Sequence, residues 1–262
     1  MNEVNPLLDD PRILNVLFHP RLARAGSSHF PGARDGSVDV GEGVVIGWRL
    51  FPADDTTAPV LLYFHGNGEL AADYDSVASL YAERGISLLV ADYRGYGWST
   101  GQPTVTALLG DARAVADAFP RLLAEAGLEP RGLFVMGRSL GSACAIDVAA
   151  QDENRWDGLM IESGFAHTFA LMARLGLRIP GVEGQDDGVN SLDKIARLSL
   201  PTLIIHGKLD ILIPASEGKA LYEACGSSEK RLLLIPMAGH NSVLAYGRKA
   251  YMQAIGEWTG VA

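Results

Sequence analysis

The stretch Val135-Met136-Gly137-Arg138-Ser139-Leu140-Gly141-Ser142-Ala143 (VMGRSLGSA) decides how the chain is read. It holds Gly-x-Ser-x-Gly between an apolar run at 132–136 (GLFVM) and a helix-compatible, small-residue segment at 140–150 (LGSACAIDVAA). A strand that ends on a serine and turns at once into a helix is a nucleophile elbow, with the serine exposed on a strained turn. Gly137 and Gly141 remove Cβ atoms that would collide there, and Ser142, Ala143 and Ala145 keep the first helical turns slim. The helix N-terminus aims backbone N–H groups at the serine, where negative charge would develop.

The same spacing recurs at Gly97, Ser99 and Gly101 (YGWSTGQ). Ser99 follows its strand only through the loop DYRGYGW, and Gly101 and Pro103 prevent an immediate helix. Ser99 therefore reads as a loop serine, and Ser139 as the nucleophile.

Outward from the elbow, the chain alternates. Short apolar runs (PVLLYFHG, ISLLVADYRG, GLFVMG, GLMIES, PTLIIHG, RLLLIPM) are separated by helical segments at 70–84, 105–126, 140–150, 216–225 and 242–258. Runs without polar alternation predict strands buried on both faces, and strand–helix alternation predicts a doubly wound α/β fold. Residues 1–36 form a helical lead, and 37–51 read as two strands joined at a Gly-Glu-Gly turn. The interval between GLMIES and PTLIIHG is too long for an ordinary connection and predicts a small cap over 165–190. No linker divides the chain, so residues 1–262 are expected to form one domain.

The 262 residues are 48% hydrophobic and 20% charged, enough to bury a substantial core. The net charge of −9, without a Lys/Arg run, argues against a nucleic-acid partner. Cys144 and Cys225, outside any CxxC pair, read as free thiols of a reducing compartment. The N-terminal segment lacks the pattern of a secretory signal, and no apolar run approaches the ~20 residues of a membrane span. These features predict a soluble, cytoplasmic protein without stable membrane insertion. They leave its oligomeric state open.

A serine nucleophile needs a base, and the base an orienting acid, in the chain order Ser, Asp/Glu, His. Of the downstream histidines, His240 (IPMAGHNS) sits on a Gly-flanked loop just beyond the last apolar strand, on the rim expected for Ser139. His206 lies inside an apolar run and reads as a packed histidine, and His167 falls in the cap, where surface position is the plainer reading. Asp210 (HGKLDILIP) follows its strand by a short turn and is the candidate acid; Glu162 (MIESGF) is the alternative. Asp92 reads as a brace for the loop DYRGYG. Oxyanion donors are expected from the N–H of Leu140, after the nucleophile, and of Asn67 in FHGNGE, where Gly66 and Gly68 expose the backbone. His65 reads as structural, holding that loop.

Taken together, HGNG, DYRGYGWSTGQP, GRSLGS, HGKLDILIP and AGHN resemble the α/β-hydrolase superfamily in order and context, from about residue 37 to the C-terminus. They look most like its small serine hydrolases with a minimal lid, among them acyl-protein thioesterase-like depalmitoylases and serine aminopeptidase-like esterases. The resemblance implies a mostly parallel eight-stranded sheet with helices on both faces and a small cap. It also implies Ser139, Asp210 and His240 as the triad, Asn67 and Leu140 as oxyanion donors, and no metal or organic cofactor.

The expected reaction is hydrolysis of a small-molecule acyl ester through an acyl-enzyme, with short- to medium-chain esters favoured and thioesters second. In GFAHTFALMARLGLRIP, Phe165, Phe169, Met172 and Leu175 fall on one helical face, which would pack onto the domain or also line an acyl pocket. The acidic GVEGQDDGVN is expected to be mobile and to disfavour anionic substrates. A peptidase would use the same triad, but no feature recognises a free amino terminus. A non-catalytic binding protein on this scaffold is expected to lose a triad member, and none is missing.

Overall fold

Residues 4–177 and 188–261 are described by the computed structural model of the chain. Its strands are β1 (Arg34–Asp39), β2 (Val45–Phe51), β3 (Val60–Phe64), β4 (Ser87–Ala91), β5 (Leu133–Arg138), β6 (Gly158–Glu162), β7 (Thr202–Gly207) and β8 (Lys230–Ile235). They form one sheet in the order β1-β2-β4-β3-β5-β6-β7-β8. β2 runs antiparallel to β1 and β4, and the remaining pairs are parallel. The helices are α1 (Pro11–Leu17), α2 (Asp75–Ala82), α3 (Val105–Glu125), α4 (Gly141–Gln151), α5 (Thr168–Arg174), α6 (Ser191–Ile195), α7 (Ala215–Ala224) and α8 (Val243–Thr259).

Both faces of the sheet are covered, which is why its central strands read as unbroken apolar runs. Alternate residues of β3 enter separate cores. Val60, Leu62 and Phe64 pack with Phe119 of α3 and Ile146 of α4, while Leu61 and Tyr63 pack with Tyr81 of α2 and Ile255 of α8. The N-terminal lead is tied into this frame. Asp9 accepts from the Val105 amide (2.7 Å), so the start of α3 is held by both its own Thr104 and a residue of the lead.

Two boundaries differ from the sequence reading. β1 begins at Arg34, inside the expected lead, because its first residues, Arg-Asp-Gly, carry no apolar alternation. In the expected cap, α5 spans only Thr168–Arg174, so Phe165 and Leu175 flank the helix instead of sharing its face. Glu217 of α7 sets that start by accepting from the backbone N–H groups of Ala166 and His167 (both 3.0 Å). Of the acidic stretch 181–190, residues 181–187 lie outside the described residues.

The chain order reverses at β3, which has β4 on one side and β5 on the other. In open parallel sheets the crevice at such a point, at the carboxyl ends of the strands, is where ligands bind. The loops after β3 and β5 carry Asn67 and Ser139.

Candidate active site

Ser139 stands between the last residue of β5 and the N-cap of α4 with φ +51°, a left-handed backbone that a non-glycine residue adopts only when its surroundings impose it. Those surroundings are close-packed. The Ser139 N–H donates to Glu162 O (2.9 Å), and the Ser142 hydroxyl donates to Ser139 O (2.6 Å). A Cβ on Gly137 would strike the Gly141 carbonyl, and one on Gly141 would strike the carbonyl of Phe64. The two glycines are thus required by approach of main chain to main chain.

The Ser139 hydroxyl lies 2.9 Å from His240 Nε2, and His240 Nδ1 lies 2.7 Å from Asp210 Oδ2. A carboxylate only accepts, so His240 carries its proton on Nδ1, leaving Nε2 to accept from the serine. Asp210 is itself held by the Leu212 and Ile213 amides on Oδ1 (3.0 and 2.8 Å). Burial alone would raise its pKa. The imidazoles of His206 and His240, which face the carboxylate, and the Ile213 amide outweigh this and hold the carboxyl well below the usual range. His206 is fully buried. Its Nε2 donates to Ile213 O (2.8 Å), with Asp210 Oδ2 at 3.5 Å. It therefore packs under the acid's loop.

Glu162, the alternative acid, is brought elsewhere: its oxygens accept from Arg138 Nε (3.2 Å) and the Tyr251 hydroxyl (2.7 Å).

Among the described residues, the backbone N–H groups of Asn67 and Leu140 donate no hydrogen bond, and each follows a strand end at the reversal point. The Asn67 side chain is fully engaged as an acceptor, taking the His19 amide (3.0 Å) and the Tyr96 hydroxyl (2.7 Å). His65 is buried beneath this loop, with Nε2 3.1 Å from Asp92 Oδ1, and Asp92 also accepts from Ala71 N (2.9 Å). Both bonds go to the segment after β3; toward its own loop Asp92 offers only packing, against Gly97.

The second Gly-x-Ser-x-Gly has a different task. The Ser99 hydroxyl accepts from the Gly47 amide of β2 (2.8 Å), and the α-carbon of Gly97 (φ +57°) rests against the Asp92 carboxylate. Ser99 docks the loop on the sheet.

Phe165, Phe169 and Met172 are buried in the larger core, and Phe165 borders Leu212 and Ile213 in a recess beside the Asp210 loop. His167 is half-buried, with Nδ1 3.1 Å from Glu217. Two sets of residues escaped the sequence reading. Leu209, Ile211 and Met237, which flank Asp210 and His240, expose apolar side chains to solvent (55%, 90% and 66%). Arg138, which is buried, forms a polar cluster behind the elbow with the partly exposed Glu69 and the exposed Asn241. The only sequence sign of the latter was a charged residue ending an otherwise apolar strand.

Known proteins share the fold and parts of the sequence. A family model described as serine aminopeptidase, S33, matches residues 55–179, a span that includes Asn67 and Ser139 and stops short of Asp210 and His240. An uncharacterized protein of Mycobacterium tuberculosis is 29% identical over 233 residues, covering 88% of this chain and 80% of its own. The human alpha/beta hydrolase domain-containing protein 17B is 32% identical over 194 residues; the match covers 72% of this chain and 62% of that one, so the chain spans less than two thirds of it. Among solved structures, a Pyrococcus furiosus esterase superposes with a TM-score of 0.73 at 17% identity, over 93% of this chain and 97% of that one. The monoglyceride lipase of Saccharomyces cerevisiae does so with 0.65 at 18%, over 86% and 93%. Among the described residues no helix is long and apolar enough to cross a membrane. With its reversal at β3, its elbow serine after β5 and these likenesses, the chain is a member of the α/β-hydrolase superfamily.

Proposed function

We propose that this protein is a serine hydrolase that cleaves carboxylic esters through an acyl-enzyme on Ser139. The observation that carries the reading is the continuous relay from Ser139 Oγ to His240 Nε2 (2.9 Å) and from His240 Nδ1 to Asp210 (2.7 Å). As Oγ attacks the carbonyl carbon, its proton passes to Nε2. Asp210 keeps the imidazole in the accepting tautomer and stabilises the imidazolium. The amides of Asn67 and Leu140 receive the oxyanion, each contributing ~10²–10³ in turnover. His240 then protonates the departing alcohol oxygen and next takes a proton from the water that releases the acid. No step calls for a metal or organic cofactor.

An apolar acyl or alcohol group fits the exposed Leu209, Ile211 and Met237 beside the acid and base. Phe165, Phe169 and Met172 supply the wall behind them in this proposal, which Phe169→Ala tests: selectivity for chain length should change while labelling of Ser139 persists. The description of the matching family favours one second reading, hydrolysis of an aminoacyl amide.

The deciding experiment pairs fluorophosphonate labelling with a p-nitrophenyl ester series, a thioester and an aminoacyl amide. Wild-type protein should be labelled and turn over short- to medium-chain esters fastest, and Ser139→Ala should do neither. Labelling that persists in Ser139→Ala overturns the assignment, and faster turnover of the amide transfers it to the second reading.

A further inference from the structure

Arg138 ends β5 one residue before the nucleophile and is buried, with the alternation of the strand sending it, like Phe134 and Met136, toward the α2/α8 side. There its guanidinium reaches the loops after β3 and β8 and the end of β6. Nη1 pairs with Glu69 of the loop after β3, and Nε donates to Glu162 at the end of β6 (3.2 Å). Nη2 donates to the carbonyl of His240 (3.1 Å) and to Asn241 Oδ1 (2.9 Å). Glu69 carries the link onward, because its second oxygen accepts from the Gly66 amide (2.8 Å), one residue before Asn67. A Cβ at Gly66 would collide with Nη1, so the guanidinium lies directly against the backbone of that loop.

We propose that Arg138 is a positioning residue that holds the elbow, the oxyanion loop and the base loop in one register, so that Ser139, Asn67 and His240 meet. This rests on the hydrolase reading above. Two features separate the role from simple charge neutralisation. Neutralising Glu69 and Glu162 needs only a positive charge, whereas the bonds to His240 O and Asn241 need donors at fixed angles, which a planar guanidinium supplies and an ammonium does not. The cluster also borders a cavity of about 250 Å³ lined by Tyr63, Tyr74, Glu69, Glu162 and Tyr251, so packing alone does not immobilise these loops. Burial opposes the Arg138 charge, and the Glu162 and Glu69 carboxylates overcome it and keep the group ionised.

The test measures turnover per active site, counted by fluorophosphonate burst, in wild type, Arg138→Lys and Asn241→Ala. Arg138→Lys keeps the charge and loses the bridging geometry. Asn241→Ala cuts one arm and leaves no buried charge unpaired, so it stands in if the lysine variant does not fold. A misplacement of ~1 Å costs up to ~10²-fold in rate, so Arg138→Lys should lower kcat per titrated site by ~10–100-fold, and Asn241→Ala by a smaller factor, each with KM within about threefold of wild type. If the variants that fold keep the wild-type kcat per titrated site and differ only in melting temperature, Arg138 merely stabilises the fold and the proposal is wrong. If wild-type protein is not labelled, or Ser139→Ala still is, the hydrolase reading fails and takes this inference with it; that outcome is seen before any Arg138 variant is made.

Discussion

The α-carbon of Gly141 rests against the carbonyl of Phe64, with no room for a Cβ between the start of α4 and the end of β3. That contact sets the spacing between the two segments that carry Leu140 and Asn67. Gly141→Ala must push them apart, at a cost of about 1–3 kcal/mol for an overpacked site. Displacing one oxyanion donor costs ~10²–10³ in turnover. The variant should therefore lose kcat on a p-nitrophenyl ester far beyond what its urea midpoint accounts for. A well-folded variant with wild-type kcat would mean that the two amides do not act together.

Gly110 makes the opposite case. It is exposed in the second turn of α3, and a Cβ there would meet nothing within 4 Å. Glycine inside a helix is less favourable than alanine by ~0.5–1 kcal/mol, because it has more freedom to lose on folding. Gly110→Ala should raise the melting temperature by a few degrees and leave turnover unchanged. A fall in melting temperature would show that the exposed face of α3 is packed against something.

The fold and the candidate site are legible in the sequence for the same reason: both are written locally. β3 is covered on both sides, so VLLYF carries no charged residue, and the short loops after β5, β7 and β8 present Ser139, Asp210 and His240. Ser139, Asp210 and His240 are candidates from those loops without knowledge of the packing, with Glu162 set aside only once its partners are seen. The cluster at Arg138 could not be read there, because its partners lie 69 and 103 residues away and meet by side-chain reach across loops, which has no periodicity. The tie from the lead to the loop after β3 was still less visible. Its donor is the backbone amide of His19, which nearly any residue would supply. The helical face drawn through Phe165 failed differently. Periodicity continued past the point where Glu217 captures the amides that would begin another turn.

Ser99 gives a prediction that separates the two Gly-x-Ser-x-Gly motifs. Its hydroxyl is the acceptor for the Gly47 amide in a buried part of the sheet. Ser99→Ala leaves that donor unsatisfied, which costs ~1–3 kcal/mol. Chemical denaturation should detect this loss, while fluorophosphonate labelling of the folded protein stays at one site per chain. Loss of labelling in folded Ser99→Ala would place Ser99 in the chemistry and undo the distinction.

Asp210 ties activity and stability to pH with a definite sign. Its pKa is depressed on folding, from an unfolded value of ~3.9. The ionised carboxylate therefore contributes stability that is fully present above about pH 4 and is lost as pH falls toward the depressed folded value. The gap in melting temperature between wild type and Asp210→Asn should be constant near neutrality and shrink on acidification below ~4. The kinetic effect needs no titration. An asparagine can keep accepting from the Leu212 and Ile213 amides with its oxygen, which turns its NH₂ toward His240 Nδ1. Two donors cannot face each other, so the imidazole must move its proton to Nε2 and can no longer accept from Ser139. Turnover per folded molecule should fall by ~10⁴ at neutral pH. A loss below tenfold would remove Asp210 from the relay, and a stability gap that widens in acid would contradict the sign of its shift.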